Sequence, residues 1–233
     1  MTLLQIRKKF GELKRGGYIP SQRKGPTGVG HTLEKIFGLK ESNIAIPDLG
    51  GRVELKATRR NASNLLTLFT FNRGVWKLKH KDLIHQYGYL DKNGRRALYS
   101  TVWPGKTNQQ GLTISAKGVD QTVNLLDRNG VVLASWDIYT LVGKMLSKLD
   151  KLLFVVADSR FTDTGSEQFH YNEVYLLKDP TSKSFLQAID QSKIAIDLRM
   201  HLKPKEVVRN HGTGIRIHEI DMPALFQKRE RIV

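Results

Sequence analysis

One stretch of ten residues, Pro47–Lys56, constrains this chain more than any other. It places a carboxylate at Asp48, a second carboxylate at Glu54 and a lysine at Lys56, with two consecutive glycines between the acids. Alternate side chains of a β-strand share a face, so a strand here points Glu54 and Lys56 one way and Leu55 into a core. The glycine pair allows a sharp turn. The spacing therefore predicts that Asp48 folds back beside Glu54.

The residue types of this stretch suit phosphodiester chemistry. Two close carboxylates supply the oxygen ligands that hard cations such as Mg2+ prefer, and a neighbouring lysine can orient water or stabilise charge on a phosphate. The arrangement is similar to the PD-(D/E)xK nuclease motif, with Pro47, Asp48, Glu54 and Lys56 in its positions. Taken alone, the spacing fits equally an exposed strand whose charges form ion pairs, so both interpretations stand at this point.

The overall charge points to a polyanionic partner. The formal net charge is +16, from 38 Lys+Arg against 22 Asp+Glu, and a chain this basic is expected to bind nucleic acid. The alternatives are an RNA binder of the ribosomal kind, a membrane-surface binder, or a basic composition that has no functional meaning. A membrane-surface binder would need a basic amphipathic helix with a strong apolar face, and the sequence shows none. Eleven basic and three acidic residues between Arg52 and Arg96 surround the proposed metal site with positive charge.

Length and composition bound the remaining classes. The 233 residues, 39% of them hydrophobic, suffice for one large or two small domains. No apolar run has the length of a membrane span, and basic residues interrupt the apolar positions of Met1–Lys14, unlike a signal peptide. The chain has no cysteine, which excludes disulfides and thiolate metal sites. A reducing cytoplasm is compatible with this composition.

Hydrophobic patterning predicts an α/β fold, with a mixed central sheet flanked by helices and a DNA-binding cleft. The continuous apolar run Leu152–Ala157 predicts a central buried strand, and Leu65–Thr70 a strand that pairs with the one carrying Glu54. Helices are predicted at Val75–Tyr89 and Ile138–Leu149. A hairpin is predicted at residues 121–126 and 131–137, across the turn 127–130.

Several polar side chains outside this stretch suit contacts to DNA. Arg23 and Lys24 lie in a Gly- and Pro-containing loop that can follow phosphates or form a solvated turn. Thr67 and Thr70 offer hydroxyls to phosphate from a predicted strand. Arg59 belongs to the positive charge around the proposed metal site.

Two further segments carry candidate residues. His211 and Arg216 flank a glycine-containing segment and carry donors of the kind that read guanine edges in the major groove; a surface loop before a strand explains the segment equally well. Glu34 lies at the edge of the apolar stripe of a short predicted helix that ends at Gly38. It is a solvated side chain unless that helix packs beside Asp48.

In combination these motifs resemble the MvaI/BcnI type of restriction endonuclease, which is related to the MutH mismatch-repair nicking enzyme. The matching segments are 28–34, 47–48, 54–56, 65–70 and 211–216. The resemblance implies a PD-(D/E)xK fold and a Mg2+-dependent type II endonuclease that acts as a monomer. It also implies short, near-palindromic duplex sites of the CC-x-GG kind, cut one strand at a time to leave 5'-phosphates, and a cognate methyltransferase as functional partner.

By matched motif, the resemblance implies that Asp48 and Glu54 bind the metal, Lys56 positions water or stabilises charge, and Glu34 is an accessory carboxylate. The implied DNA contacts are His211, Arg216, Arg209, Asn210, Arg23, Lys24, Arg59, Thr67 and Thr70. Arg209 and Asn210 stand where the family pattern places a second histidine before His211, so the resemblance does not extend to the central base pair of the target.

The expected organisation is a single endonuclease unit over residues 1–233 with two lobes. The catalytic lobe is predicted to include about residues 1–75 and the central strands, and the recognition lobe about residues 190–225. Two rival functions remain: a MutH-like nicking enzyme that works in mismatch repair, and a non-catalytic DNA-binding protein on a nuclease fold. The presence of Asp48, Glu54 and Lys56 together argues against the non-catalytic alternative.

Overall fold

Five α-helices and three β-sheets make up residues 1–39, 47–60, 65–117 and 121–233, which are the residues that the computed structural model describes. The helices are α1 (Leu3–Gly16), α2 (Gly28–Ile36), α3 (His80–Tyr87), α4 (Ile138–Leu149) and α5 (Ser182–Asp190). The strands are β1 (Ile19–Pro20), β2 (Glu54–Arg59), β3 (Leu65–Phe71), β4 (Val75–Trp76), β5 (Tyr89–Leu90), β6 (Arg96–Val102), β7 (Thr113–Lys117), β8 (Thr122–Leu126), β9 (Val132–Asp137), β10 (Lys151–Phe161), β11 (Glu167–Pro180), β12 (Ile194–Lys203), β13 (Val207–Asn210), β14 (Thr213–His218) and β15 (Phe226–Arg231). The predicted mixed α/β class is confirmed, although three sheets replace the single central sheet. Within these ranges, no helix is both long and apolar enough to cross a bilayer.

The first of two compact units comprises Met1–Asn64, Leu146–Thr181 and Met222–Val233. Its five-stranded sheet has the order β1-β11-β10-β2, with β15 paired to β11. β10 runs parallel to β2 and antiparallel to β11. Leu152, Leu153 and Val155 on β10 are fully buried, so the predicted central apolar strand is confirmed.

Two helices share the core of this unit. α1 begins with a capping box, in which the Thr2 hydroxyl accepts from the Gln5 backbone N–H and the Gln5 side chain accepts from the Thr2 N–H. Phe10 on α1 and Leu33 on α2 are fully buried in the same core as Leu55 of β2. The core thereby joins α2 to the face of β2 opposite Glu54, because Glu54 and Leu55 are consecutive on the strand.

The second unit comprises Leu65–Met145 and Ser182–Asp221. One sheet has the order β3-β14-β12-β6-β5, with β13 paired to β12, and the other has the order β4-β9-β8-β7. The predicted pairing of β3 with β2 is wrong, because β3 pairs antiparallel with β14. Phe69 of β3 lies opposite Ile215 of β14 in that ladder, and both are buried. The burial of apolar side chains between β3 and β14 therefore decides the partner of β3, although β2 is much closer along the chain.

The segment Val75–Tyr89 corrects a second prediction. Only its second half is helical, while Val75–Trp76 forms β4 and pairs with β9. The Trp76 ring packs edge-on against Trp136 with centroids 5.6 Å apart. A Cβ at Gly74 would lie 2.7 Å from Nε1 of Trp136, so the tryptophan contact requires a glycine before the strand. The predicted hairpin of β8 and β9 and the helix α4 are confirmed with little or no change of bounds.

Candidate active site

The double-glycine turn directs Asp48 back onto β2. Gly50 and Gly51 have φ angles of +61° and +69°, the left-handed pair typical of a tight type I′ connection. Oδ2 of Asp48 accepts a hydrogen bond of 3.0 Å from the backbone N–H of Leu55. The carboxylate therefore reaches the strand at the peptide that follows Glu54, as the glycine pair predicts.

Glu54 is a buried carboxylate whose two oxygens have different surroundings. Its side chain is 1% exposed. Oε1 accepts a hydrogen bond of 2.8 Å from Nζ of Lys56, and Nζ of Lys148 lies 3.5 Å from the same oxygen. Oε2 is buried and, among the described residues, has no hydrogen-bond partner. Because an unpaired buried oxygen is unfavourable, this atom indicates a ligand that the described residues do not provide.

The donor set at this position fits a hard divalent cation. Asp48 and Glu54 contribute carboxylate oxygens, the ligands that Mg2+ prefers. In the described part of the chain, no three His, Cys, Asp or Glu side chains gather as a metal-binding group. An ion at Asp48 and Glu54 would therefore complete its shell with water or substrate oxygens, as Mg2+ commonly does. The unpartnered Oε2 supports this fit.

Glu34 lies half-buried on α2, one residue after the fully buried Leu33. Leu33 shares its core with Leu49, the neighbour of Asp48 in the turn. The requirement that the sequence sets for Glu34, a helix packed beside the Asp48 turn, is therefore met. Its role as an accessory carboxylate stays a prediction.

Arg59 anchors the basic loop that carries Arg23 and Lys24. Its guanidinium forms a bidentate ion pair with Glu167, with distances of 2.6 and 2.7 Å. The same group donates to the carbonyls of Gly25 and Pro26 at 3.0 and 2.9 Å. Arg23 and Lys24 are exposed. The loop is thus held by the protein at Arg59 and presents its other two basic residues at the surface.

The segment before β14 is fixed by a dense set of hydrogen bonds. Gly212 has φ +83°, and a Cβ there would overlap Oδ1 of Asn72 and lie 2.6 Å from Cγ2 of Thr70. The Gly212 N–H donates to Oδ1 of Asn210 at 2.7 Å. Arg199 donates to the Gly212 carbonyl at 3.1 Å and to the Thr70 hydroxyl at 2.8 Å. Only glycine fits this position, and Arg199 links the Gly212 backbone to Thr70 on the neighbouring strand β3.

Arg216 is oriented by the second unit itself. Its Nη1 donates to Oδ2 of Asp197 at 3.1 Å, and its Nη2 donates to the Leu65 carbonyl at 2.6 Å. Asp197 is in turn held by the Thr101 hydroxyl, which donates to Oδ1 at 2.8 Å. Thr67, half-buried on β3, lies opposite Arg216 in the ladder with β14. The guanidinium plane is therefore fixed from two directions.

His211 is exposed and continues a stack of rings. Its imidazole lies 5.6 Å from that of the buried His201 at an interplanar angle of 30°, and Nδ1 of His201 is 2.7 Å from the Tyr99 hydroxyl. Burial, followed by the charge of Arg95, lowers the pKa of His201. Desolvation of its ring by the neighbouring residues, followed by the charge of Arg209, lowers the pKa of His211 although the side chain reaches the surface. Both shifts favour the neutral imidazole.

Comparisons with known proteins bear directly on these sites. Residues 7–226 match the model of the MvaI/BcnI restriction endonuclease family. The chain belongs to this family. It is also similar to a solved complex of the restriction endonuclease MvaI with cognate DNA substrate, at 25% identity and a TM-score of 0.82 over all of both chains. MvaI in the absence of DNA gives 22% identity and a TM-score of 0.57, covering 100% of this chain and 99% of that one. None of the curated proteins matches significantly.

Membership of the MvaI/BcnI family, together with the match to the MvaI complex, identifies the chain as a site-specific deoxyribonuclease. Three residues at the candidate sites of this family member escaped the sequence analysis: Lys148, Asp197 and Arg199. The alternation of β12, which places Asp197 and Arg199 on one face with His201 and Lys203, was the available signal for those two. No local pattern indicates Lys148, because it is 92 positions beyond Lys56 in the chain.

Proposed function

We propose that Asp48, Glu54 and Lys56 form the hydrolytic centre of a type II restriction endonuclease that depends on Mg2+. The observation that carries this proposal is the Glu54 carboxylate. It is buried, one oxygen is held by lysine, and the other has no hydrogen-bond partner within the described residues. Asp48 turns back to the same strand. A buried carboxylate with one unpaired oxygen and an adjacent acid is well suited to bind a cation.

The side chains divide the chemistry between them. Asp48 and Glu54 would hold the ion, which when bound supplies an acidified water and positive charge for phosphate oxygens. The Lys56 ammonium, 2.8 Å from Glu54, is suited to orient the attacking water and to neutralise charge that develops on the phosphate. Glu34 would add an accessory carboxylate. The expected products carry 5'-phosphate and 3'-hydroxyl ends.

We assign phosphate contacts in the first unit to the loop of Arg23 and Lys24. Both side chains are exposed on a backbone that Arg59 holds in place. Arg59 therefore contributes to DNA binding through the loop, because its own guanidinium is occupied by Glu167 and two carbonyls. Phosphate contacts of this kind make affinity fall as salt rises.

We assign sequence reading to the second unit. Asp197 and the Leu65 carbonyl engage two of the five N–H groups of Arg216 and fix its plane, which suits bidentate recognition of guanine. The neutral His211 imidazole offers one donor and one acceptor to a base edge. The other proposed contacts of this unit are Arg209, Asn210, Thr67 and Thr70. A target of the CC-x-GG kind fits these donors.

The proposal includes a monomeric enzyme that cuts one strand at a time in the cytoplasm of a bacterium or archaeon. A methyltransferase that modifies the same sequence would be its functional partner. Two alternatives differ in their products. A MutH-like enzyme would nick DNA and need a partner protein, and a non-catalytic DNA-binding protein would leave DNA intact.

Plasmid digestion tests the proposal. Supercoiled plasmid is incubated with the protein over a Mg2+ titration, and the ends of the linear products are sequenced. We expect a nicked intermediate, then linear DNA with 5'-phosphates at one short sequence, and no cleavage without a divalent ion. Nicking that never proceeds to linear DNA would favour the MutH-like alternative. Intact plasmid at every Mg2+ concentration would refute the hydrolytic centre.

A further inference from the structure

Lys148 is a second lysine at Glu54, outside the three-residue motif. Its Nζ lies 3.5 Å from Oε1 of Glu54, and its side chain is 21% exposed. It occupies the last turn of α4, directly before the fully buried Leu149. β10 begins two residues later, and its Leu152 lies opposite Glu54 in the parallel ladder. The backbone therefore fixes the end of α4 beside Glu54.

The charge of Glu54 gives this lysine a specific use. A carboxylate that is 1% exposed needs a counter-ion, because an unpaired buried charge is strongly unfavourable. Lys56 supplies one at 2.8 Å. The role proposed for Lys56, however, requires its ammonium at the attacking water or the phosphate. The proposed ion would take Oε2, so Oε1 of Glu54 would lose its closest partner during the reaction unless a second cation stayed at that oxygen.

We propose that Lys148 is a positioning residue that keeps Glu54 paired while Lys56 acts on the substrate. This inference rests on the proposed function of Glu54 and Lys56. Without Lys148, Lys56 is the sole cationic partner of Oε1 among the described residues, is held more firmly there and is less available to the substrate. Lys148 also adds positive charge beside the proposed ion site, so it opposes cation binding. Loss of Lys148 should therefore slow hydrolysis and strengthen cation binding at the same time.

The test compares Lys148→Met and Lys148→Arg with the matched control Lys151→Met. Lys151 is exposed and pairs with the exposed Asp150 at 3.5 Å. Its substitution by methionine removes the same charge from the chain as Lys148→Met does. Mn2+ alone is titrated into the DNA-free protein and followed by electron paramagnetic resonance. Single-turnover plasmid cleavage is measured at saturating Mg2+.

For Lys148→Met we expect cleavage slowed about 10–100-fold, the usual effect of losing a residue that supports a metal ligand. Mn2+ binding should tighten on the order of thirtyfold, the effect of removing one unit charge about 4 Å from a divalent ion in water. DNA affinity without metal should be unchanged. Lys148→Arg should restore both the rate and the Mn2+ affinity, and Lys151→Met should alter neither.

Weaker Mn2+ binding by Lys148→Met, or its failure to fold, would make Lys148 a structural support and overturn the inference. An unchanged cleavage rate would overturn it as well. Glu54→Gln separates this inference from the proposed function. If Glu54→Gln is inactive and Lys148→Met is fully active, only the inference about Lys148 fails. If Glu54→Gln cleaves normally, the hydrolytic centre itself is wrong.

Discussion

The candidate sites of the two units differ in the kind of polar group that they leave unpaired. In the first unit, Oε2 of Glu54 is a buried acceptor with no hydrogen-bond partner among the described residues. In the second, Nη1 and Nη2 of Arg216 are both bonded to the protein, and the unpaired atom in the same described set is the donor Nε. The first site therefore leaves a buried acceptor unpaired, whereas the second holds the guanidinium of Arg216 in a fixed plane.

This difference separates two physical tasks. In the proposed hydrolytic centre, two lysines offset the charge of Glu54, so the chain can fold with one oxygen of this buried carboxylate unpaired. A reading surface has to present its donors in a defined direction before DNA arrives, since ordering them on binding would cost affinity. In the proposed reading surface, the hydrogen bonds of Arg199 to Gly212 and of Asp197 to Arg216 would provide that order.

The largest expected effect comes from the first site. Asp48→Ala and Glu54→Ala should each lower the cleavage rate by about 10³-fold or more, since each removes a group that stabilises charge in the transition state. DNA binding without Mg2+ should be retained, as measured by gel shift. Asp150→Ala is the control, because Asp150 is an exposed carboxylate near the start of β10. Full activity of Asp48→Ala or Glu54→Ala would contradict the assignment of hydrolysis to the first unit.

Loss of the Arg216 side chain should affect selectivity instead. Arg216→Ala should lower the preference for the cognate site by roughly 1–3 kcal/mol, the size of a single mismatch. The measurement is the ratio of single-turnover rates on the cognate site and on sites with one base pair changed. Arg128→Ala, which removes an exposed arginine in the turn between β8 and β9, should leave this ratio unchanged. If Arg216→Ala discriminates as well as the parent, it does not read bases.

A pair of glycines tests the rigidity of the second site. Gly212→Ala should reduce the free energy of unfolding by roughly 1–2 kcal/mol, because its φ is +83° and its Cβ would overlap Asn72. Gly214→Ala should cost less, since its Cβ would lie 3.3 Å from that of Asp197 and its backbone needs no left-handed φ. Urea unfolding measures both variants. Equal losses would show that the segment is not held as tightly as the hydrogen bonds indicate.

The smallest expected effect is a pH dependence of stability. Because burial lowers the pKa of His201, the unfolded chain takes up a proton more readily than the folded chain. The contribution of His201 to the free energy of unfolding is therefore complete above the ordinary histidine pKa of about 6.5. It declines as the pH falls from that value through the lower pKa of the folded state. The unfolding temperature should therefore drop between pH 7.5 and 5.5.

His201→Asn should remove part of this drop. His85→Asn should not, because His85 lies at the surface beside Glu206 and is not buried. An unchanged drop in His201→Asn would assign the pH dependence to other groups.

The parts of the fold that follow from local sequence are those that could be predicted. The turn at Gly50 and Gly51 and the shared face of Glu54 and Lys56 follow from backbone freedom and strand alternation. The helix α4 follows from its apolar period. These features depend on residues within a few positions of one another.

The remaining features depend on distant residues that the fold brings together. The pairing of β3 with β14 joins segments about 150 positions apart, and the strand at Trp76 depends on Trp136. Lys148 reaches Glu54 because α4 leads into the strand that pairs with β2. Spacing along a sequence carries no direct signal for such contacts, so Lys148 and Arg199 became visible only in three dimensions.

The most direct test of the central claim is to locate the metal ion. Crystals of the protein soaked in Mn2+ would be examined by anomalous scattering, for the unmodified chain and for Glu54→Gln. We expect one strong peak in contact with a carboxylate oxygen of Asp48 and with Oε2 of Glu54, and its loss in the variant. A Mn2+ ion bound elsewhere, or no ion at Glu54 at saturating Mn2+, would contradict the assignment of this carboxylate as the metal ligand of the nuclease.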